Sequence, residues 1–230
     1  MEKLMPNKPK FHRKDAERLT PLQKKRITSI LEVAHAYFVE KGISDSKMEE
    51  IAERIGVSRQ TLYRYYRTKE DLAYAVEVHV LNNLLRCMSQ LFTEAQELSL
   101  DELEQRIEEL TVAFLEEHEQ EIKFTALFDS FFSTYPGNEF SDIIQNTVKT
   151  YPNPFTNIIE REQHLGTVCD TMDPYIAGEM ITHSMLALSQ RVVNRREALT
   201  QEYGFNPLKL VPMQMKFFIR GLRCSTPEDC

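Results

Sequence analysis

Residues 42–72, GISDSKMEEIAERIGVSRQTLYRYYRTKEDL, constrain the fold more than any other stretch of this chain. They read as two short helices joined by a glycine turn, with a lysine-led third helix following at once. Ser46 is positioned to cap the first unit, with Glu49 three residues on as its capping-box partner. Met48, Ile51, Ala52 and Ile55 fall at helical spacing and form one apolar face. Gly56 suits the left-handed backbone of a tight helix–helix turn, and Ser58 caps the next helix. This is the signature of a helix-turn-helix, whose second helix enters the major groove of double-stranded DNA.

On a helical wheel Arg59, Gln60, Tyr63, Arg64 and Arg67 share an arc of roughly 140°, while Leu62 and Tyr66 lie to one side and pack inward. Arginine forks onto guanine, glutamine onto adenine, and a tyrosine hydroxyl reaches phosphate. The first residues of a recognition helix reach base edges, which assigns Arg59 and Gln60 to base readout; Tyr63 and Arg64 suit either role. Thr68, with Asp71 as its partner, caps the following helix, whose free amides and Lys69 make a phosphate site. Lys47, Ser58 and Tyr65 complete the expected DNA-binding set.

These residues resemble the DNA-binding domain of the tetracycline-repressor (TetR) family of bacterial regulators. The resemblance rests on Gly42, Ser46, Ile51-Ala52, Gly56-Val57-Ser58, Thr61-Leu62-Tyr63, Tyr65-Tyr66 and Lys69-Glu70-x-Leu72. Three positions depart from the family pattern. Gln60 replaces a usual glycine, Lys47 a common threonine and Tyr66 the usual phenylalanine. Gln60 adds a base-capable side chain, so the operator sequence does not carry over. Lys47 adds a phosphate contact.

A formal net charge of −7 would by itself argue against a nucleic-acid binder. The distribution reverses that. Residues 1–67 hold 15 basic and 9 acidic side chains, and the remainder 13 against 26. A basic head on an acidic body presents one end to DNA. The four cysteines, Cys87, Cys169, Cys224 and Cys230, lack metal-ligand spacing and read as reduced thiols. No signal-peptide h-region and no membrane-length apolar run is present, so the expectation is a cytoplasmic protein with no membrane partner.

No segment shows sustained period-two alternation, and the expected fold is all-α. Residues 1–19 read as a basic flexible arm, either a minor-groove or phosphate contact or a tail whose charge only steers. Residues 20–72 form the helix-turn-helix domain, opened by Thr20, Pro21 and Gln23. Residues 73–224 form a helical body and 225–230 a loose tail. Helices are expected over Lys69–Leu98, Asp101–Glu117, Ile122–Tyr135, Ser141–Tyr151, Phe155–Leu165, Pro174–Tyr203 and Leu208–Leu222.

The last two helices carry apolar seams at near three-four spacing: Ile181, Met185, Leu188 and Val192, then Val211, Met215, Phe218 and Leu222. Burial inside one subunit and burial against a second copy give the same periodicity. The family resemblance implies a homodimer through this pair, which suits a palindromic operator. It also implies a pocket for a small, largely apolar effector. Phe124, Phe128, Phe131, Phe132, Phe155, His164, Met180 and His183 are the candidate lining, although an aromatic stripe also serves as filled core. Glu160 and His164 stand at i and i+4 without a third metal ligand. No nucleophile elbow, phosphate loop, zinc pair or dinucleotide fingerprint occurs. Neither a catalytic role nor a cofactor or metal is expected.

The expected function is that of a TetR-like regulator, a repressor released from DNA by an effector. The alternatives are a dimeric DNA-binding protein controlled by a protein partner, and a coactivator-type module without DNA binding.

Overall fold

The computed structural model describes residues 20–95, 98–132, 150–151 and 153–223. Among these the regular structure is ten α-helices and a short 3-10 turn, with no strand, in agreement with the all-α expectation. The arm at 1–19, most of the helix expected over Ser141–Tyr151 and the tail at 225–230 lie outside the described residues. Contacts divide the chain into two units. The first takes residues up to 82 together with the stretch from Phe124; the second takes 83–123 and the chain from 148 onward. The sequence reading instead ends the helix-turn-helix domain at residue 72.

In the first unit, helix α1 (Pro21–Lys41) starts with the expected box: Thr20 Oγ1 accepts from the Gln23 amide, and Gln23 Oε1 accepts from the Thr20 amide at 2.9 Å. Ile30, Leu31, Ala34, Tyr37 and Phe38 form its buried stripe. Gly42, at φ 82°, ends it. Helix α2 (Met48–Ile55) begins one residue later than expected, with Lys47 at the cap position and no side-chain cap. Ser46 is buried instead, its hydroxyl donating to the Gly42 carbonyl at 2.7 Å. The serine therefore satisfies the open end of α1 rather than the open start of α2. Glu49 and Glu50 in the first turn of α2 favour its dipole.

Gly56, in the left-handed region at φ 77°, turns the chain into helix α3 (Arg59–Tyr65). Ser58 caps α3 by accepting from the Thr61 amide at 3.1 Å. Helix α4 (Lys69–Ala95) opens on a reciprocal pair between Thr68 and Asp71, at 3.0 and 3.2 Å. Ile30, Phe38, Ile51, Leu62, Leu72 and Val76 are fully buried in this unit.

The unit is completed by the second half of helix α6 (Glu119–Phe132). The buried Phe124 ring lies edge-on to His35 at 5.3 Å and stacks on Phe38 at 6.0 Å. One turn on, Phe128 faces Tyr74 at 6.3 Å. In the same unit Glu77 is 3% exposed, and its Oε2 has no hydrogen-bond partner.

In the second unit, helix α5 (Leu100–Glu117) is capped by a Ser99–Glu102 box. Helices α7 (Pro154–His164) and α8 (Pro174–Asn194) take Asn153 and Asp173 as caps. The single helix expected from Pro174 to Tyr203 is broken at Arg195 (φ −117°, ψ 21°), and helix α9 (Arg196–Tyr203) follows. Neither proline nor glycine marks that break. Three ion pairs lie beside it, Arg195–Glu202 at 2.9 Å and Arg196 to both Glu116 and Glu119 at 3.0 Å.

Helix α10 (Leu210–Leu222) packs on α5 and α8. Ion pairs line the α5–α10 crossing: Glu104–Arg220 at 2.6 Å, Glu108–Lys216 at 3.1 Å and Asp101–Arg223 at 2.6 Å. Helices α7 and α8 approach closely at Gly178, where an added Cβ would stand 2.9 Å from the Thr156 backbone nitrogen.

Both apolar seams on α8 and α10 face the interior of this unit. Ile181, Val192, Val211, Met215 and Leu222 are buried, and Met185, Leu188 and Phe218 pack against the same clusters. Their periodicity suits burial in the subunit's own core, one of the two readings that the spacing allows. The outward faces of the same helices carry Ile176, Met180, Met213 and Phe217, all about half exposed or more.

Candidate nucleic-acid interface

The α2–Gly56–α3 unit holds a short helix whose polar side chains point to solvent. Arg59, Gln60 and Arg64 are exposed, Tyr63 and Tyr65 half-buried, and Leu62 is fully buried as the anchor. Gln60, Thr61, Tyr63 and Arg64 line a shallow open depression. Arg67 falls outside the helix: Tyr66 already has extended backbone at φ −132°, and the helical wheel stops at Tyr65. Tyr66 is buried, and that burial pushes its hydroxyl well above the usual phenol range.

The basic groups differ in how they are held. Arg64 lies over the Tyr65 ring at 5.5 Å. Arg59 is braced twice, by Glu49 of α2 at 2.5 Å and by the Tyr63 ring at 5.4 Å. Lys47 is exposed and 3.5 Å from Glu50. Lys69 donates from Nζ to the Ser44 carbonyl at 2.6 Å and stands 6.0 Å from the centre of the Phe131 ring. Ser58 and Thr68 both cap helices as expected, so their hydroxyls are engaged locally.

Behind this face Tyr37 donates to Glu50, and Arg54 reaches Glu40 at 2.5 Å. The Tyr37 hydrogen bond holds the Glu50 carboxyl below its ordinary value, and the Arg54 hydrogen bond does the same for Glu40. Both carboxylates therefore stay ionised, tying α2 to α1 with charge-assisted bonds. Sequence reasoning missed Glu49 as a partner of Arg59. The two are ten residues apart, and only the Gly56 turn brings them together.

The residues expected around an effector fall in both units. Phe124 and Phe128 are filled core of the first unit. Phe131 and Phe132, half-buried, pair edge-on at 5.0 Å. Phe155 is buried in the second unit's main cluster. His164 is exposed, Met180 is 49% exposed, and the exposed His183 side chain pairs with Glu179 at 3.6 Å. The cluster around Phe155 and Phe218 encloses a void of about 20 Å³. That is the scale of one water molecule, against the several hundred Å³ of a typical small-molecule site.

The family model described as bacterial regulatory proteins of the tetR family matches residues 30–76, which span α1 to the start of α4. An HTH-type transcriptional regulator of Staphylococcus aureus (strain bovine RF122 / ET3-1) is 36% identical over 62 residues, 27% of this chain; the match spans about a third (34%) of that protein's length. The HTH-type transcriptional regulator LuxR of Vibrio harveyi is 29% identical over 161 residues, covering 68% of this chain and 73% of that one. The crystal structure of NalD, described as the secondary repressor of the MexAB-OprM multidrug efflux pump in Pseudomonas aeruginosa, superimposes with a TM-score of 0.60 at 20% identity. The superposition covers 88% of this chain and 99% of that one. A capped helix-turn-helix and the family match over it make residues 30–76 similar to the DNA-binding domain of the tetR family of bacterial regulatory proteins, and the likeness to NalD extends the same fold across most of the chain.

Proposed function

We propose that this protein binds a palindromic double-stranded operator as a homodimer and represses transcription until a small, largely apolar effector releases it. The observation that carries the DNA reading is the exposed polar face of α3, presented immediately after the Ser58 cap. In this reading Gln60 and Arg59 meet base edges. Lys47, Tyr63, Arg64, Tyr65 and the start of α4 at Thr68–Lys69 hold the backbone. The repressor sense follows the description of NalD, and a cytoplasmic location suits the role.

Dimerisation is assigned to the outward faces of α8 and α10, where Ile176, Met180, Met213 and Phe217 leave apolar surface in water. A two-fold interface there suits two half-sites on DNA.

The experiment is selection from a random duplex library with the purified protein, repeated at two salt concentrations. An enriched palindrome supports the reading. Weak, salt-sensitive binding without enrichment overturns it and favours a module that acts through a protein partner. Release of the enriched duplex by apolar small molecules then tests the effector arm.

A further inference from the structure

Arg59 is the first residue of α3, and its surroundings differ from those of its basic neighbours. One edge of the guanidinium meets the Glu49 carboxylate, Nη2 to Oε1, at 2.5 Å. Its carbon lies 5.4 Å from the centre of the Tyr63 ring. Among the described residues, Arg64 and Arg67 make no ion pair with a carboxylate. Both members of the Glu49–Arg59 pair remain open to solvent, their side chains 44% and 65% exposed, so the pair stands on the surface that α3 presents.

We propose that Glu49 is a specificity-determining positioning residue: it fixes Arg59 as a reader of a guanine edge and withholds it from phosphates. The inference rests on the DNA-binding reading of α3. A guanidinium has five donors in a planar fork, and Glu49 engages one edge. The remaining donors keep the geometry that matches the two acceptors of guanine in the major groove. Tyr63 and Glu49 together restrict the plane of that fork, so less side-chain freedom is lost when the base is met.

The carboxylate also offsets the arginine's charge, which weakens its attraction to any phosphate regardless of sequence. A phosphate approaching this point meets Glu49 as well and is repelled. The arrangement therefore exchanges general affinity for discrimination.

The test uses the full chain as wild type, Glu49→Gln, Arg59→Ala and the double variant. Each is titrated against the enriched duplex, its single-base-pair variants and a random duplex, over a range of salt. Glu49→Gln should bind random duplex several-fold more tightly, with a salt slope steeper by about one. Its discrimination at one guanine-containing base pair should fall roughly tenfold, the scale of a good bidentate contact. Arg59→Ala should lose discrimination at the same base pair, and adding Glu49→Gln to it should lower that discrimination no further.

Three results overturn the assignment. The first is a Glu49→Gln variant with unchanged discrimination and salt slope. The second is an equal loss of discrimination in the Arg59→Ala background, which makes Glu49 itself the base contact. The third is a lower melting temperature with discrimination intact, which makes the pair a structural brace. Failure of the unaltered protein to discriminate between any duplexes is a separate outcome. It removes the DNA-binding reading and this assignment with it.

Discussion

The ammonium of Lys69 donates to the backbone carbonyl of Ser44 at 2.6 Å, joining the first residue of α4 to the turn that precedes α2. Twenty-five residues separate the two, and the whole helix-turn-helix lies between them. The bond therefore closes the motif on itself, while the same ammonium stands 6.0 Å from the centre of the Phe131 ring.

Lys69→Ala should consequently act twice. Loss of a charge-assisted bond at a half-buried site costs on the order of 1 kcal/mol of stability, read as a lower urea midpoint with the slope unchanged. It should also weaken binding to specific and random duplexes alike and flatten the salt dependence. Lys69→Arg should recover the salt dependence but not the full stability, because the longer planar fork does not fit the same carbonyl. A variant with wild-type midpoint and weakened DNA binding would show that Lys69 serves phosphate alone.

Gln60 stands where the TetR-like pattern leads one to expect glycine, and it is exposed on α3. Gln60→Ala should cost about 1–3 kcal/mol on the preferred duplex and relax preference at one base pair, adenine by the geometry of its amide. Arg64→Ala should instead lower affinity across sequences. Titration of both variants on matched and single-mismatch duplexes separates the two, and identical profiles would dissolve the division between base and backbone contacts.

Glu77 gives the first unit a dependence on pH. Burial, with a smaller contribution from the Asp129 charge, pushes its carboxyl up to about 8 from 4.5. The unfolded chain releases this proton near pH 4.5, whereas the folded chain keeps it to about 8. The folded state thus binds more protons throughout that window, and stability falls as pH rises through it, on the order of 1 kcal/mol per pH unit at most. The contribution is fully present below pH 4.5 and fully lost above 8. Glu77→Gln should remove this slope and Glu77→Leu should raise stability at pH 8, as measured by urea unfolding at pH 5.5, 7 and 8.5. Parallel slopes for wild type and Glu77→Gln would mean the group is paired or solvated in the folded protein.

What the sequence disclosed and what it hid follow from how far each signal reaches. The caps at Thr20, Ser58 and Thr68 are satisfied within three residues, so their chemistry is local and legible in the sequence. Ser46 was misread because its hydroxyl had a second acceptor, the Gly42 carbonyl, brought within 2.7 Å by the turn. The break at Arg195 has no local breaker and is flanked by contacts to distant carboxylates. Nor does helical spacing say what buries a stripe. On spacing alone Phe124 suits either a pocket lining or a filled core, and its ring stacks on Phe38, more than eighty residues earlier.

That last pairing is testable by itself. Phe124→Ala should remove about 3–5 kcal/mol, since a fully buried ring leaves a cavity between His35 and Phe38. Phe124→Leu should restore most of it. If Phe124 instead lines a ligand site, the alanine variant would melt near wild type and differ chiefly in its response to apolar compounds.

The dimer proposal turns on which face of α10 meets a second copy. Phe217 is 65% exposed and Met215, two residues away, 1%. A charge at Phe217 stays in water within the monomer but must be desolvated in a two-fold contact, where it meets its own symmetry mate. Phe217→Glu should therefore give a folded monomer by sedimentation, with wild-type helicity. It should also lose the avidity for a palindrome while keeping weak binding to one half-site. Met215→Glu places the same charge in the subunit core and should abolish folding rather than association. If Met215→Glu were instead a well-folded monomer and Phe217→Glu a dimer, the apolar seam would be the true contact between copies. The outward face would then be left as ordinary surface.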